Sequence, residues 1–433
     1  MKNNLIAIVL FLTFYNSAFA NVTLPNVISD NMVLQRNTEV TIWGWANPQE
    51  EVVITPSWNN QTYKIKASNQ AKWEINIPTP KEGGPFTISI KGYNEIVLKN
   101  ILIGEVWICS GQSNMEMNAS WGIENGDEVV KKSTNPNIRF FTVPKLTATT
   151  PQNNLSGNWT ESTPETMKYF SAVGYFFAKR LQEELKNVPI GLISSNWGGT
   201  PAEIWMPEEV IQNDVVLLES AKTRREETYG PNQPGRAFNA MIYPLTGFKI
   251  AGVIWYQGES NVGSPVYDKT FSALITSWRK LWKSDFPFYF VQIAPYKYGE
   301  NHFGGAVIRD AQRKVLQAVP NTGMAMTSDI SPIDDIHPKD KKSVGTRLAN
   351  LALVNIYKTN SNLVNGPLYK GITIQKNKVT VTFDYSNGLY FKDNKSNQFE
   401  IAGTDNVFYK AKKKKKNDNV VLQSDKVKDP LKV

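Results

Sequence analysis

The spacing of hydrophobic residues changes twice along this chain. From Val22 to about Asn100, apolar residues alternate with polar ones or come in short β-rich runs. Examples are Val40-Thr41-Ile42-Trp43-Gly44-Trp45, Val52-Val53-Ile54, Trp73-Glu74-Ile75-Asn76-Ile77 and Phe86-Thr87-Ile88-Ser89-Ile90. Pro78, Pro80 and Gly83-Gly84 punctuate them. A period near two, broken by Pro and Gly, predicts short strands and turns, hence a small antiparallel, sandwich-like β-domain over residues 21–100.

From Ile101 onward, short apolar runs alternate with helical stripes. Val106-Trp107-Ile108-Cys109, Ile190 to Ser194, Gly252-Val253-Ile254-Trp255, Phe288 to Ile293 and Met324 to Thr327 read as five strands. Between and after them, Val173/Phe177/Leu181/Leu185, Phe271/Leu274/Ile275/Trp278/Leu281, Ile308/Val315/Val319 and Val344/Leu348/Ala352/Ile356 recur at helical spacing. Strand–helix alternation predicts an α/β fold over 101–364, a three-layer α/β/α sandwich with a five-strand parallel sheet covered on both faces. From residue 365 to 433, Ile372-Thr373-Ile374, Val379 to Phe383 and Val420-Val421-Leu422 return to β texture, and this C-terminal β-domain stops without an obvious closing element.

The first twenty residues follow neither pattern. A basic start at Met1-Lys2, an apolar run from Leu5 to Tyr15 and Ala18-Phe19-Ala20 predict a secretory signal cut after Ala20. No other stretch reaches membrane-spanning length, so a secreted or periplasmic protein without a membrane span in its mature chain is expected. The single cysteine, Cys109, rules out an internal disulfide framework and ends a buried strand, where cysteine acts as a small hydrophobe. Of the net charge of +9, Lys410 and Lys412 to Lys416 supply a local run. Such a run suits a solvated turn or sheet edge, and no basic surface interleaved with stacking aromatics points to nucleic acid.

The chemistry gathers at strand ends. In open α/β sheets, ligands bind beyond the carboxyl ends of the strands. Four unusual polar segments fall there: Ser110-Gly111-Gln112-Ser113-Asn114-Met115, Asn196-Trp197-Gly198-Gly199-Thr200, Tyr256-Gln257-Gly258-Glu259-Ser260-Asn261 and Asp334-Asp335-Ile336-His337-Pro338. Gly111 allows a tight turn that lifts the Ser113 hydroxyl out of the sheet, with the Ser113 and Asn114 amides at a helix start. Taken alone, Ser113 is equally a turn or cap residue. A serine nucleophile needs a base, and only His302 and His337 are histidines. His302 sits in a polar loop, Glu300 to Gly305, and is expected at the surface. His337 has Asp334 and Asp335 just before it, either of which could hold one imidazole nitrogen while the other takes the serine proton. Pro338 suits the first position of a following helix. The Gly198 or Gly199 amide and the Gln257 side chain are candidate oxyanion donors, each worth roughly 3 kcal/mol of barrier. A plain turn is the lesser reading of Gly198-Gly199, and holding the loops together is an alternative role for Glu259 and Asn261, the favoured one for Glu259. No histidine–cysteine cluster suggests a metal, and no lysine-bearing Gly-rich loop suggests a phosphate.

Gly111-Gln112-Ser113-Asn114-Met115, Asn196 to Glu203, Trp255 to Asn261 and Ile336-His337-Pro338, in this order, resemble the motifs of sialate O-acetylesterases. These are SGNH hydrolases related to bacterial carbohydrate acetylesterases, and the resemblance runs from about Val22 to the C-terminus. It implies a flavodoxin-like catalytic domain flanked by β-domains. Ser113 would be the nucleophile and His337 the base, with an oxyanion hole from Ser113, Gly198 or Gly199, and Gln257. Trp197, Trp205, Tyr256 and Asn261 would be substrate contacts. The general SGNH spacing picks Asp334 as the acid, whereas relatives of this kind often keep an acid at minus two, which picks Asp335, and some work without one. The family's chain also runs on past the equivalent of Asp429-Pro430-Leu431, so a shortened C-terminal domain is expected. The expected activity is removal of O-acetyl groups from sialic acid through an acetyl-enzyme, without metal or cofactor. Acetylated xylan or another polysaccharide is the alternative substrate, and a silent carbohydrate-binding protein the remote one.

Overall fold

The computed structural model describes residues 21–225, 227–300, 302–359, 366–393 and 398–433. The expected leader over 1–20 lies outside them. Among the described residues, no helix is long and apolar enough to cross a membrane.

The organising element is one 17-residue strand, Glu95–Gly111. Its first residues alternate between exposed and buried, and from Ile101 to Gly111 every residue is buried. The change marks two environments. Near its start the strand pairs antiparallel with Gly83–Lys91, and further along it is flanked on both sides by parallel strands. Strands covered on both faces read as continuous apolar runs, which is why Val106–Cys109 alone stood out.

The central sheet runs in the order Thr322–Ala325, Phe288–Val291, Gly252–Tyr256, Glu95–Gly111, Ile190–Asn196, Asn135–Thr142, Trp159–Ser162. Five of these are the expected strands, mutually parallel and adjacent. The five-strand count is corrected by two additions: Asn135–Thr142 is a sixth parallel strand and Trp159–Ser162 an antiparallel edge. Asn135-Pro136-Asn137 and Arg139 interrupt the apolar run there, hiding the strand from a period-based reading.

Helices cover both faces. On one, Ala172–Glu184 packs against Lys341–Asn355, burying Val173, Phe177, Leu181, Val344, Leu348 and Ala352. On the other, Tyr267–Trp282 packs against Gly304–Ala318 through Phe271, Leu274, Ile275, Trp278, Ile308 and Val315. The Ser171 hydroxyl caps the first helix by accepting the Gly174 amide at 3.1 Å. The last helix corrects an expectation: it begins at Lys341, capped by Asp340, rather than at Pro338.

Residues 21–94 are mainly antiparallel strands, including Glu39–Trp45 on Lys72–Pro78 and Glu51–Pro56 between Tyr63–Lys66 and Gly83–Lys91. At the other end a four-stranded sheet orders Leu368–Gln375, Lys378–Asp384, Asn419–Gln423 and Lys412–Lys416. The lysine run is its edge strand, where charge discourages pairing with another chain.

After Glu95–Gly111 the chain fills strands on one side, then crosses to Gly252–Tyr256 on the other. The switch of direction lies beside this central strand, so the crevice opens above Gly111.

Candidate active site

Gly111 makes the turn at the tip of the strand, with φ of +134°. The four-residue helix Ser113–Glu116 follows immediately. Among the described residues, the Ser113 and Asn114 amides have no hydrogen-bonded acceptor. The Ser113 hydroxyl lies 2.8 Å from Nε2 of His337, across 224 positions of sequence. At that distance the hydroxyl donates to an unprotonated Nε2, the geometry for passing a proton to the ring. Burial and the nearby Lys341 charge hold the imidazole below the ordinary histidine value, partly opposed by Asp335. The ring is therefore neutral, and able to accept a proton, at neutral pH.

Neither candidate acid touches the ring. Asp335 uses its carboxylate to accept the backbone N–H of His337 at 2.8 Å, closing a local turn. Asp334 is exposed. Among the described residues, neither forms a hydrogen bond or ion pair with the imidazole, and Nδ1 of His337 has no partner. Trp121 packs edge-on to the ring, 6.5 Å between centroids.

A cavity of about 880 Å³ opens above the pair. All four expected loops reach it: Gln112 and Ser113, Gly198 and Gly199, Glu259 and Ser260, and Ile336 and His337. Gly198 lies tight against Ser113, where an added Cβ would stand 3.3 Å from the serine Cβ. Its amide donates at 2.6 Å to the Glu116 carboxylate, which also pairs with Lys145 at 2.5 Å. The Gly199 amide, among the described residues, is unpaired.

Four expected site residues face elsewhere. Gln257 is fully buried and its amide is spent: Nε2 donates to Asn261 Oδ1 at 2.7 Å and to the Thr200 carbonyl at 3.2 Å, and Oε1 accepts from Tyr267. Asn261, also fully buried, accepts the Ala202 amide and donates to the Glu203 carboxylate. These two brace the loops and offer nothing to the cavity. Trp205 and Tyr256 lie in the two cores, Trp205 edge-on to Trp255. Trp197 lines an adjoining cavity of about 600 Å³, its indole N–H on the Tyr229 carbonyl at 3.0 Å. Glu259 is buried beside Asn114, and desolvation raises its carboxyl above the usual range. His302 is exposed, and Cys109 is buried with its thiol pushed far up by desolvation. Among the described residues, no group of three or more His, Cys, Asp or Glu side chains is placed to hold a metal.

One wall of the cavity comes from outside the four loops. Thr223, Arg224, Arg225, Glu227, Tyr229 and Asn232 border the cavity from a segment without regular periodicity. Its signal was the Arg224-Arg225 pair followed by the Tyr229-Gly230-Pro231 turn. Arg224 is largely enclosed, 3.8 Å from Glu203. Arg225 is exposed and, among the described residues, unpaired.

Residues 103–354 match the family described as carbohydrate esterase, sialic acid-specific acetylesterase. The chain is 30% identical to human sialate O-acetylesterase over 89% of its own length and 81% of that protein. With the mouse sialate O-acetylesterase it shares 30% identity over 89% of its length and 83% of that protein. Its fold superimposes on the crystal structure of a carbohydrate acetylesterase from Xanthomonas citri with a TM-score of 0.85 at 32% identity, covering 95% of this chain and 93% of that one. The chain belongs to the sialic acid-specific acetylesterase family of carbohydrate esterases, and is a carboxylic ester hydrolase.

Proposed function

We propose that this protein is an exported esterase that removes O-acetyl groups from sialic acid, with Ser113 as nucleophile and His337 as general base. The observation that carries the reading is the 2.8 Å contact between hydroxyl and imidazole at the floor of the cavity. The Ser113 oxygen attacks the acetyl carbonyl as His337 takes its proton. The oxyanion is received by the amides of Ser113 and Gly199, unpaired among the described residues. The intermediate collapses to an acetyl-serine as His337 returns the proton to the departing sugar oxygen. Water, deprotonated by the same imidazole, then attacks the acetyl-serine, and the imidazolium returns that proton to the Ser113 oxygen as acetate leaves. Export rests on the N-terminal sequence pattern at residues 1–20.

Sialic acid carries a carboxylate that the xylose units of xylan lack, and Arg225 at the cavity wall, unpaired among the described residues, supplies a matching cation. Arg225→Ala is expected to raise KM for an O-acetylated sialic acid roughly tenfold, about 1.4 kcal/mol. Its KM for 4-nitrophenyl acetate, which has no carboxylate, stays unchanged. Initial rates on both esters and on acetylated xylan test the substrate assignment, and faster turnover of xylan would overturn it.

The two acids separate by pH profile. Asp335 raises the His337 value, so Asp335→Asn removes that support while its amide oxygen still accepts the backbone N–H. Protonated His337 is inactive as a base, so activity is lost as pH falls through its titration. The acid limb of kcat/KM is therefore expected to move to lower pH in Asp335→Asn. Asp334→Asn, altering an exposed group, leaves the limb in place. A limb that moves in Asp334→Asn instead would reverse the assignment.

A further inference from the structure

Behind Ser113 and His337 lies a buried cation that the proposed chemistry does not use. Lys341 is 1% exposed and occupies the first turn of the helix Lys341–Asn355. Both settings disfavour an ammonium: burial strips its hydration, and the helix N-terminus carries the positive end of the dipole. Three carboxylates face it in compensation. Glu259 comes from the turn after Gly252–Tyr256, Asp335 from the His337 loop, and Asp340 from the cap of its own helix. Desolvation outweighs them and brings Lys341 down to about 7. The Tyr256 ring lies 5.5 Å from Nζ.

The ammonium is tied into the site by direct bonds. Nζ donates to Oδ1 of Asn114 at 2.6 Å. Asn114 is fully buried and next in sequence to Ser113. Its Nδ2 donates to the Ile336 carbonyl at 2.9 Å and to Glu259 Oε1 at 2.6 Å. Ile336 immediately precedes His337. One buried relay thus links the residue after the hydroxyl to the residue before the imidazole. No carboxylate holds Nδ1 among the described residues, so besides its contacts with Ser113 and Trp121 the ring is placed by its backbone, fixed at Ile336 by Asn114 and at the His337 amide by Asp335.

We propose that Lys341 is a positioning residue that, through Asn114, fixes the backbone carrying His337 and keeps a positive charge behind its ring. The proposal rests on the reading of Ser113 and His337 given above. A buried lysine kept only for packing is replaceable by an apolar side chain of similar length without effect on the histidine, since such replacements are often neutral or stabilising.

The chain has two histidines, so NMR of the imidazoles in a His302→Ala background follows His337 alone, with no substrate present. Lys341→Met is expected to move the His337 titration to higher pH, because a repelling cation is gone. It is also expected to lower kcat on 4-nitrophenyl acetate about 10- to 100-fold, with KM unchanged, through a misplaced base. Lys341→Gln keeps a donor for Asn114 without the charge, and should recover most of kcat while the titration stays raised. An unmoved titration, or a loss that appears in KM rather than kcat, overturns the proposal. Should Lys341→Met fail to fold, the titration of Lys341→Gln decides: raised supports the proposal, unmoved overturns it. Because the titration needs no turnover, a failure of the esterase reading is seen separately.

Discussion

Ser113→Ala is expected to lower kcat on 4-nitrophenyl acetate by on the order of 10⁴- to 10⁶-fold, the scale on which a nucleophile acts within a cooperating unit. The Ser113 hydroxyl has one bonded partner among the described residues, Nε2 of His337. Removing Oγ therefore ends the attack without unpicking other contacts. The Ser113 carbonyl still accepts the Met117 amide at 2.7 Å, so the short helix keeps its closing bond. The folding free energy should change by less than about 1 kcal/mol, as for a substitution that opens no cavity and buries no unpaired group. Steady-state kinetics and urea unfolding on the same preparation check both halves. Ser113→Ala/His337→Ala should be no slower than the serine variant alone, because the two act as one unit. Turnover by Ser113→Ala at the wild-type rate would remove this hydroxyl from the chemistry.

Gly111→Ala should do the reverse, breaking the fold of the site before its chemistry. At φ of +134°, an L side chain is strained whatever space surrounds it. Here there is none: the added Cβ would stand 2.2 Å from the Tyr256 carbonyl oxygen. That oxygen belongs to the neighbouring strand and accepts the Gln112 amide at 2.9 Å, so it cannot swing aside as a side chain would. Gly111 is also in register with Asn196 on its other side, and its carbonyl accepts the Trp197 amide at 3.1 Å. Relief of the clash must part strands at the centre of the sheet. A destabilisation of about 4 kcal/mol or more is expected, at the severe end for a single substitution. Any folded fraction should be slow as well, since Ser113 is two residues away. Urea midpoints at constant m-value measure the loss. A variant as stable as the wild type would show that the turn has another accessible geometry.

The sequence displayed what repeats and concealed what depends on facing. Helical stripes such as Val173/Phe177/Leu181 and buried runs such as Ile190 to Ser194 announce themselves, because burial on one or both faces dictates their period. Topology then brought four loops to one end of the sheet, and Ser113 and His337 face one cavity there. Asn135–Thr142 went unseen because Pro136 and Arg139 break its apolar run. Tyr256, Gln257 and Asn261 belong to the third motif and Trp205 lies just past the second, yet all four side chains are buried away from the cavity. A polar or aromatic residue on a loop carries no mark of the side it faces. Gln257 and Asn261 satisfy each other and the surrounding backbone in place of water, as buried amides must. Arg224, Arg225, Glu227 and Tyr229 lie outside any helix or strand and so carry no period, and nothing in the sequence around Lys341 marks it as buried.

The long strand Glu95–Gly111 has a bearing on dissection of the molecule. At about 3.3 Å per residue it is a spar of roughly 55 Å, and Ser113 is mounted just beyond its tip. The antiparallel strand Gly83–Lys91 grips its base, while parallel neighbours grip its far end. A chain trimmed to begin at the apparent α/β portion would cut this spar partway along. A shortened expression clone starting near residue 101 should therefore yield aggregated material rather than a minimal esterase.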